Sequence, residues 1–183
     1  MTQGRLIAVV GPSGVGKDSV IAGLGNAAPH WHLVRRVITR APNLGGEEYD
    51  AATPAQFEAL VNDGAFAVHW KAHGLRYGIP ISVKYQLGKG TDCLVNFSRK
   101  ALSEAADNFP NFIVLNITAK PETLAHRLKI RARETQEEIA KRLEQADKPL
   151  PSGLKVIHLS NDGLLSSTVA HGMSLLRPAG VLQ

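Results

Sequence analysis

Two kinds of pattern alternate along this chain: short runs of continuous apolar residues, and longer stretches in which apolar residues return every three or four positions. Leu6-Ile7-Ala8-Val9-Val10, Thr91-Asp92-Cys93-Leu94-Val95-Asn96-Phe97 and Phe112-Ile113-Val114-Leu115-Asn116-Ile117 are of the first kind, and Lys155-Val156-Ile157-His158-Leu159 is the last of them. Too short for helices and rich in β-branched residues, they read as strands buried on both faces. Leu33-Val34-Arg35-Arg36-Val37-Ile38 reads as a further strand, the second in chain order. Helical spacing appears at Val20, Ile21 and Leu24, at Phe57, Leu60 and Val61, in patterns starting near Ser98 and Pro121, and after Gly163.

Local signals mark where some of these elements begin. Thr53-Pro54-Ala55-Gln56 has the form of a capping box with proline at the first helical position, and Thr135-Gln136-Glu137-Glu138 restarts a charged helix broken at Arg133-Glu134. Ala65 to Trp70 and Gly74 to Gly78 read as short strands of a small lobe, closed by Pro80 and a helix reaching Leu87, with Asn43 to Glu48 a flexible loop. Strands alternating with helices predict a parallel sheet of about five strands covered on both faces, a three-layer α/β/α domain. Its core would be residues 1–38 and 91–183, with a substrate lobe inserted at about 39–90 and an arginine-bearing lid at about 127–147.

Composition narrows the classes of function. A chain of 183 residues makes one domain, and its net charge of +5 suits small anionic substrates without the long basic runs of a nucleic-acid binder. Cys93, the single cysteine, leaves no internal disulfide and reads as a packed core residue. No apolar stretch has the length of a membrane span, and the apolar start runs straight into a glycine loop, unlike a signal peptide, so a soluble cytoplasmic protein is expected. Oligomeric state is left open.

That glycine loop, Gly11-Pro12-Ser13-Gly14-Val15-Gly16-Lys17-Asp18, lies between the first strand and the first helix. Glycines let successive N–H groups turn inward toward phosphate oxygens, the helix start adds its dipole, and Lys17 adds a full charge. In this context the motif is a phosphate-binding loop of the P-loop class. The residue after the lysine, usually Ser or Thr, is Asp18. A carboxylate beside a polyphosphate calls for a cation between them, so Asp18 is expected to hold Mg²⁺, directly or through water; the rival is that Asp18 turns away and Ser19 takes over. Phosphoryl transfer otherwise needs positive charge in position. Thr39-Arg40 could grip an acceptor phosphate. Arg127, Arg131 and Arg133, followed by a helix carrying Arg142, suit a lid over ATP; alone, that helix could be merely a solvated one laced by Glu138 and Arg142.

The loop, Thr39-Arg40-x-Pro42, Phe57 leading into a lobe that ends Tyr77-Gly78, and the arginine-rich lid together resemble the guanylate kinase superfamily over nearly the whole chain. The likeness fails where that family reads guanine. The position of the base-contacting glutamate is Val68, family aspartates appear as Asn96 and Ser98, and a second phosphate-binding arginine is Asn43. Without such carboxylates the donor edge of guanine goes unread.

His69-Trp70-Lys71-Ala72-His73-Gly74-Leu75-Arg76-Tyr77-Gly78, Val95-Asn96-Phe97-Ser98-Arg99 and Lys17-Asp18-Ser19 resemble instead the members of this superfamily that act on ribose 1,5-bisphosphate in bacterial phosphonate breakdown. The resemblance implies ATP-dependent phosphorylation of the sugar's 1-phosphate to 5-phosphoribosyl 1-pyrophosphate (PRPP), with Mg²⁺. A sugar bisphosphate has two phosphates and no base, which calls for added cations and no base-reading carboxylate. On this reading Lys17, Asp18, Arg131 and Arg133 stabilise the transition state. Arg40, Lys71, His73, Arg76, Tyr77, Asn96, Ser98 and Arg99 hold the sugar, and Gly11 to Ser19 with Arg127 hold ATP. Asn161 and Asp162 line the adenine pocket or merely form an Asn-Asp-Gly turn. A nucleoside monophosphate kinase is the competing enzyme, and a non-catalytic binding module would be expected to have lost Lys17 or the lid arginines.

Overall fold

The computed structural model describes residues 3–42, 44, 46–132, 135–146 and 148–177 and sets the continuous apolar runs side by side. In chain order the elements are β1 (Leu6–Val10), α1 (Lys17–Ala27), β2 (His32–Leu33), β3 (Arg36–Ile38), β4 (Tyr49–Ala51), α2 (Pro54–Asn62), β5 (Phe66–Ala72), β6 (Leu75–Pro80) and α3 (Val83–Gly88). Then come β7 (Cys93–Asn96), a 3₁₀ turn at Arg99–Ala101, α4 (Leu102–Asn108), β8 (Phe112–Thr118), α5 (Pro121–Arg131), α6 (Gln136–Ala146), β9 (Val156–Ser160) and α7 (Leu165–Leu175). The main sheet is parallel throughout, in the order β2-β7-β1-β8-β9.

Alternation of side chains divides the core in two. Leu6, Ala8 and Val10 of β1 face one way, with Val95 and Val114, against α3, α4 and the lobe. Ile7 and Val9 face the other way, with Leu94, Leu115 and Ile117, against Val20 and Leu24 of α1, Leu124 of α5 and the partly buried Val169 and Met173 of α7. A strand between two apolar layers can carry no polar side chain, which is why β1 is buried at every position. Cys93 is fully buried in the first layer, where desolvation, with Asp92 nearby, pushes its thiol up to about 12; it is a core residue.

The stretch Leu33 to Ile38 is not one strand. His32 and Leu33 pair with β7, and the backbone N–H of Val34 makes the next bond, to Leu94. After Val34 the chain leaves the main sheet and crosses to a second sheet, ordered β4-β3-β6-β5. β4, paired parallel to β3, was not legible, because Tyr-Asp-Ala carries too little apolar character. β5 and β6 form a hairpin whose two turn residues, His73 (φ 51°) and Gly74 (φ 74°), are both left-handed, as a tight turn matched to strand twist requires. Val68, Trp70, Tyr77 and Ile79 face the core, while Lys71 and Arg76 stand opposite one another on the outer face. There Arg76 pairs with Glu58 of α2 and lies 4.7 Å from the ring centroid of Phe57.

Both capping boxes form. Thr53 Oγ1 accepts from Gln56 N at 3.2 Å while Gln56 Oε1 accepts from Thr53 N at 2.8 Å. Thr135 and Glu138 do the same at 3.3 and 2.8 Å, starting α6.

Candidate active site

The phosphate loop sits at the carboxyl end of β1, and its shape is set by backbone conformation and by what stands behind it. Gly16, the residue before α1, has φ 88°, and a Cβ there would lie 2.9 Å from the Asn161 amide nitrogen. A side chain at Gly11 would come 2.6 Å from the Ile117 carbonyl oxygen. Val15 is fully buried, and its carbonyl accepts from Asn161 Nδ2 at 2.8 Å and from Arg127 Nη1 at 3.3 Å. Asn161 in turn accepts from Thr168 Oγ1 at 2.9 Å. Its side chain therefore braces the loop from inside the fold. Asp162 accepts from Lys120 N at 2.7 Å and Ser160 Oγ at 2.8 Å, joining the end of β9 to the start of α5; the Lys120 backbone bond leads the causes holding its carboxyl below the usual range.

Lys17 opens α1 with its Nζ donating to the carbonyls of Gly11 at 2.9 Å and Pro12 at 3.4 Å. Burial pushes its ammonium down to about 8; Asp18 and Glu47 oppose the shift, while Arg36 and Arg99 add to it. Asp18 faces the lobe. Its Oδ1 accepts from Asn96 Nδ2 at 3.3 Å, and Gly46 lies close by, with room for a Cβ only 3.0 Å from Asp18 Oδ2. The Asn96 amide also reaches Glu47 Oε2 at 3.5 Å. Glu47 pairs with Arg36 and stands 3.9 Å from Arg40. Arg36, Arg40, Glu47, Asn96 and Asp18 thus form a line of charge and amide from the lobe to the loop lysine, with the Tyr77 ring 4.9 Å from the Arg36 guanidinium.

The other expected residues are placed as follows. Lys71 and Arg76 lie on the lobe face turned away from the core, and His73 is at the exposed hairpin tip, so these three do not join Tyr77 and Asn96. Arg99 reaches the lid, donating to the carbonyls of Gln145, Ala146 and Lys148 at 3.0–3.2 Å across the C-terminal end of α6. Ser98 and Ser19 are half-buried and exposed respectively, beside Arg99 and Asp18 in sequence. Arg131 is exposed in the last turn of α5, and Arg133 lies outside the described residues, as does Asn43. Across the mouth of the loop, Arg142 of α6 donates to Ser13 Oγ, which ties the lid helix to the phosphate loop. A cleft of about 520 Å³ opens beneath α6, bordered by Pro12, Arg99, Thr118, Leu143 and the Asn116–His158 pair.

Arg36, Glu47 and Tyr49 were missed from the sequence. Arg36 was read only as a strand residue, although an arginine inside an apolar strand needs a partner if it is buried. Tyr49 shapes the loop around Glu47: its hydroxyl donates to Ala41 O and accepts from Leu44 N at 3.2 Å, and its ring lies 5.3 Å from the Arg40 guanidinium.

A parallel sheet with a glycine loop, a buried lysine and an arginine-bearing lid defines a P-loop phosphotransferase. A family model for guanylate kinase matches residues 3–164. The ribose 1,5-bisphosphate phosphokinase PhnN of Ruegeria sp. (strain TM1040) is 47% identical over 96% of this chain and 93% of its own, and that of Pseudomonas paraeruginosa (strain DSM 24068 / PA7) is 42% identical over 91% of each. A guanylate kinase structure from Anaplasma phagocytophilum shares the fold, with a TM-score of 0.65 at 19% identity over 97% of this chain and 86% of its own. The chain belongs to the guanylate kinase family and, within it, to the ribose 1,5-bisphosphate phosphokinases PhnN. It is an ATP-dependent phosphotransferase.

Proposed function

We propose that the protein transfers the γ-phosphoryl group of ATP to the 1-phosphate of ribose 1,5-bisphosphate, giving PRPP and ADP, as a step of phosphonate catabolism. The observation that carries the substrate reading is the charge gathered between the lobe and the loop lysine. Arg36 and Arg40 converge on Glu47, in the line that runs through Asn96 and Asp18 to Lys17, whereas Val68, where a base-reading carboxylate would stand, is 1% exposed among apolar neighbours. Such a site offers cations for phosphate, and no carboxylate at the position where a base would be read.

An oxygen of the 1-phosphate attacks the γ-phosphorus in line, and the bond from that phosphorus to the β–γ bridging oxygen breaks, leaving ADP. The attacking oxygen is already ionised at neutral pH, so no side chain removes a proton. Lys17 exchanges its loop carbonyl partners for phosphate oxygens, and Arg142 brings a guanidinium to the loop at Ser13. Arg131 and Arg133 are assigned to the same lid, and Arg127 braces the loop. Asp18 fits Mg²⁺: it is a carboxylate one residue past the loop lysine, facing an amide, and Mg²⁺ bound through substrate phosphates needs only one or two carboxylates. When bound, the metal offsets the negative charge gathered between donor and acceptor.

The test is an assay of ADP release with Mg²⁺, offering ribose 1,5-bisphosphate and GMP separately. Sugar turnover at least about a hundredfold more efficient than GMP turnover is expected, because a base whose hydrogen-bonding edge goes unmet loses transition-state binding. Comparable turnover of GMP would make the protein a nucleoside monophosphate kinase.

A further inference from the structure

Arg36 is the most deeply buried cation of the lobe, its side chain 6% exposed, and its bonding is incomplete. One terminal nitrogen meets Glu47, the guanidinium carbon stands 4.9 Å from the Tyr77 ring centroid and 6.0 Å from that of Trp70, and the Nε–H is buried without an acceptor. A buried N–H left unmet is costly, and in a guanidinium it leaves one edge of the fork open. Glu47 cannot satisfy that edge as well as its other neighbours. Its second oxygen is directed to Asn96, and its first is 3.9 Å from Arg40, so a single carboxylate is shared between two arginines and an amide. It comes from the segment between β3 and β4, whose described residues form turns, bends and irregular chain.

We propose that Arg36 is the residue that selects a second phosphate on the substrate, and that Glu47 holds its place until the substrate arrives. This rests on the reading of the lobe and phosphate loop as a sugar bisphosphate site. A phosphate dianion offers three oxygens, enough to meet both edges of the Arg36 fork, where one carboxylate shared with Arg40 and Asn96 cannot. The exchange replaces one negative charge by nearly two beside a buried cation, without leaving Arg36 uncompensated at either end. The phosphate that is not phosphorylated, on C5, is the one assigned to Arg36, because Lys17 and Asp18 stand at the reacting end. Selection then comes from an arginine backed by the rings of Trp70 and Tyr77, at a place where position 68 supplies no carboxylate to read a base.

The experiment is a cycle of two enzymes and two acceptors: the unaltered protein and Arg36→Met, each with ribose 1,5-bisphosphate and with ribose 1-phosphate, which lacks the 5-phosphate. Arg36→Met should lower kcat/KM for the bisphosphate by about a hundredfold, chiefly through KM, and should lower whatever turnover ribose 1-phosphate supports by no more than about tenfold. Equal losses on both acceptors would show that Arg36 only supports the fold of the lobe, and would overturn the proposal. Should Arg36→Met fail to fold, Arg36→Lys keeps the charge without the fork; about a tenfold rise in KM confined to the bisphosphate supports the proposal, and no such rise contradicts it. Glu47→Gln tests the exchange itself. A lowered or unchanged KM for the bisphosphate fits a displaced stand-in, and a tenfold higher KM would mean that Glu47 organises Arg36 in the complex. If the unaltered protein turns over no ribose 1,5-bisphosphate at all, the substrate reading fails before Arg36 is tested.

Discussion

Lys17 carries its charge where burial resists it, and that has a consequence for nucleotide binding. Its pKa of about 8 in the free protein means that a growing share of the molecules has a neutral lysine as pH rises past 8. An anion held beside Nζ favours the charged form and raises the pKa again, so binding above pH 8 takes up a proton. Affinity for ATP should therefore be flat with respect to this group just below pH 8 and fall by up to about tenfold per pH unit above it. Calorimetry at pH 8.5 in buffers of different ionisation enthalpy should show net proton uptake on binding, growing as pH rises from about 7.5 to 9 and lost in Lys17→Ala. Asp18, next in the chain, is expected to matter through charge rather than protonation. Asp18→Ala should cut turnover by about a hundredfold or more and flatten its magnesium dependence, and near-normal kinetics would remove it from the metal site.

The lid helix α6 is held by a narrow apolar stripe and a set of polar ties. Ile139 is buried, and Leu143 and Ala146 pack partly buried against the core. The Thr135–Glu138 box caps its start, Arg99 gathers the carbonyls of its last turn, and Arg142 reaches the phosphate loop. Removing the cap with Thr135→Ala should cost about 1 kcal/mol locally. Amide exchange across residues 136–146 should then run about fivefold faster while the melting temperature changes little, as for a unit that opens by itself. Both capping boxes were readable beforehand because a box is written in four adjacent residues, as were the strands buried on both faces. Arg36 was not, because its meaning depends on Tyr77, forty-one positions away, and on Glu47. Lys71 and Arg76 illustrate the same limit. Their charge was plain, but strand alternation fixed by the hairpin register turns them toward α2.

At the scale of the whole molecule, Arg5 ties the amino ends of β1 and β7 to the chain just beyond α7, adding to the apolar packing of Val169 and Met173. Arg5, just before β1, bonds Asp92 at the start of β7 through its backbone at 2.8 Å and its side chain at 2.5 and 3.0 Å, and it donates to Leu176 O beyond α7 at 2.7 Å. Both side chains are less than 20% exposed, so Asp92→Ala leaves a half-satisfied guanidinium. A loss of about 2–3 kcal/mol in urea unfolding is expected, with KM values unaltered, because the pair lies at the amino ends of the strands, away from the loop. The opposite, carboxyl ends carry the phosphate loop, the arginines of the lobe and the lid helix, and their combination is what the proposed reaction requires. Its most direct test is phosphorus NMR of the product formed from ribose 1,5-bisphosphate, ATP and Mg²⁺. Two coupled diphosphate resonances on C1, with the 5-phosphate signal retained, are predicted. A new diphosphate on C5, or an unchanged sugar beside rapid conversion of GMP to GDP, would contradict the account.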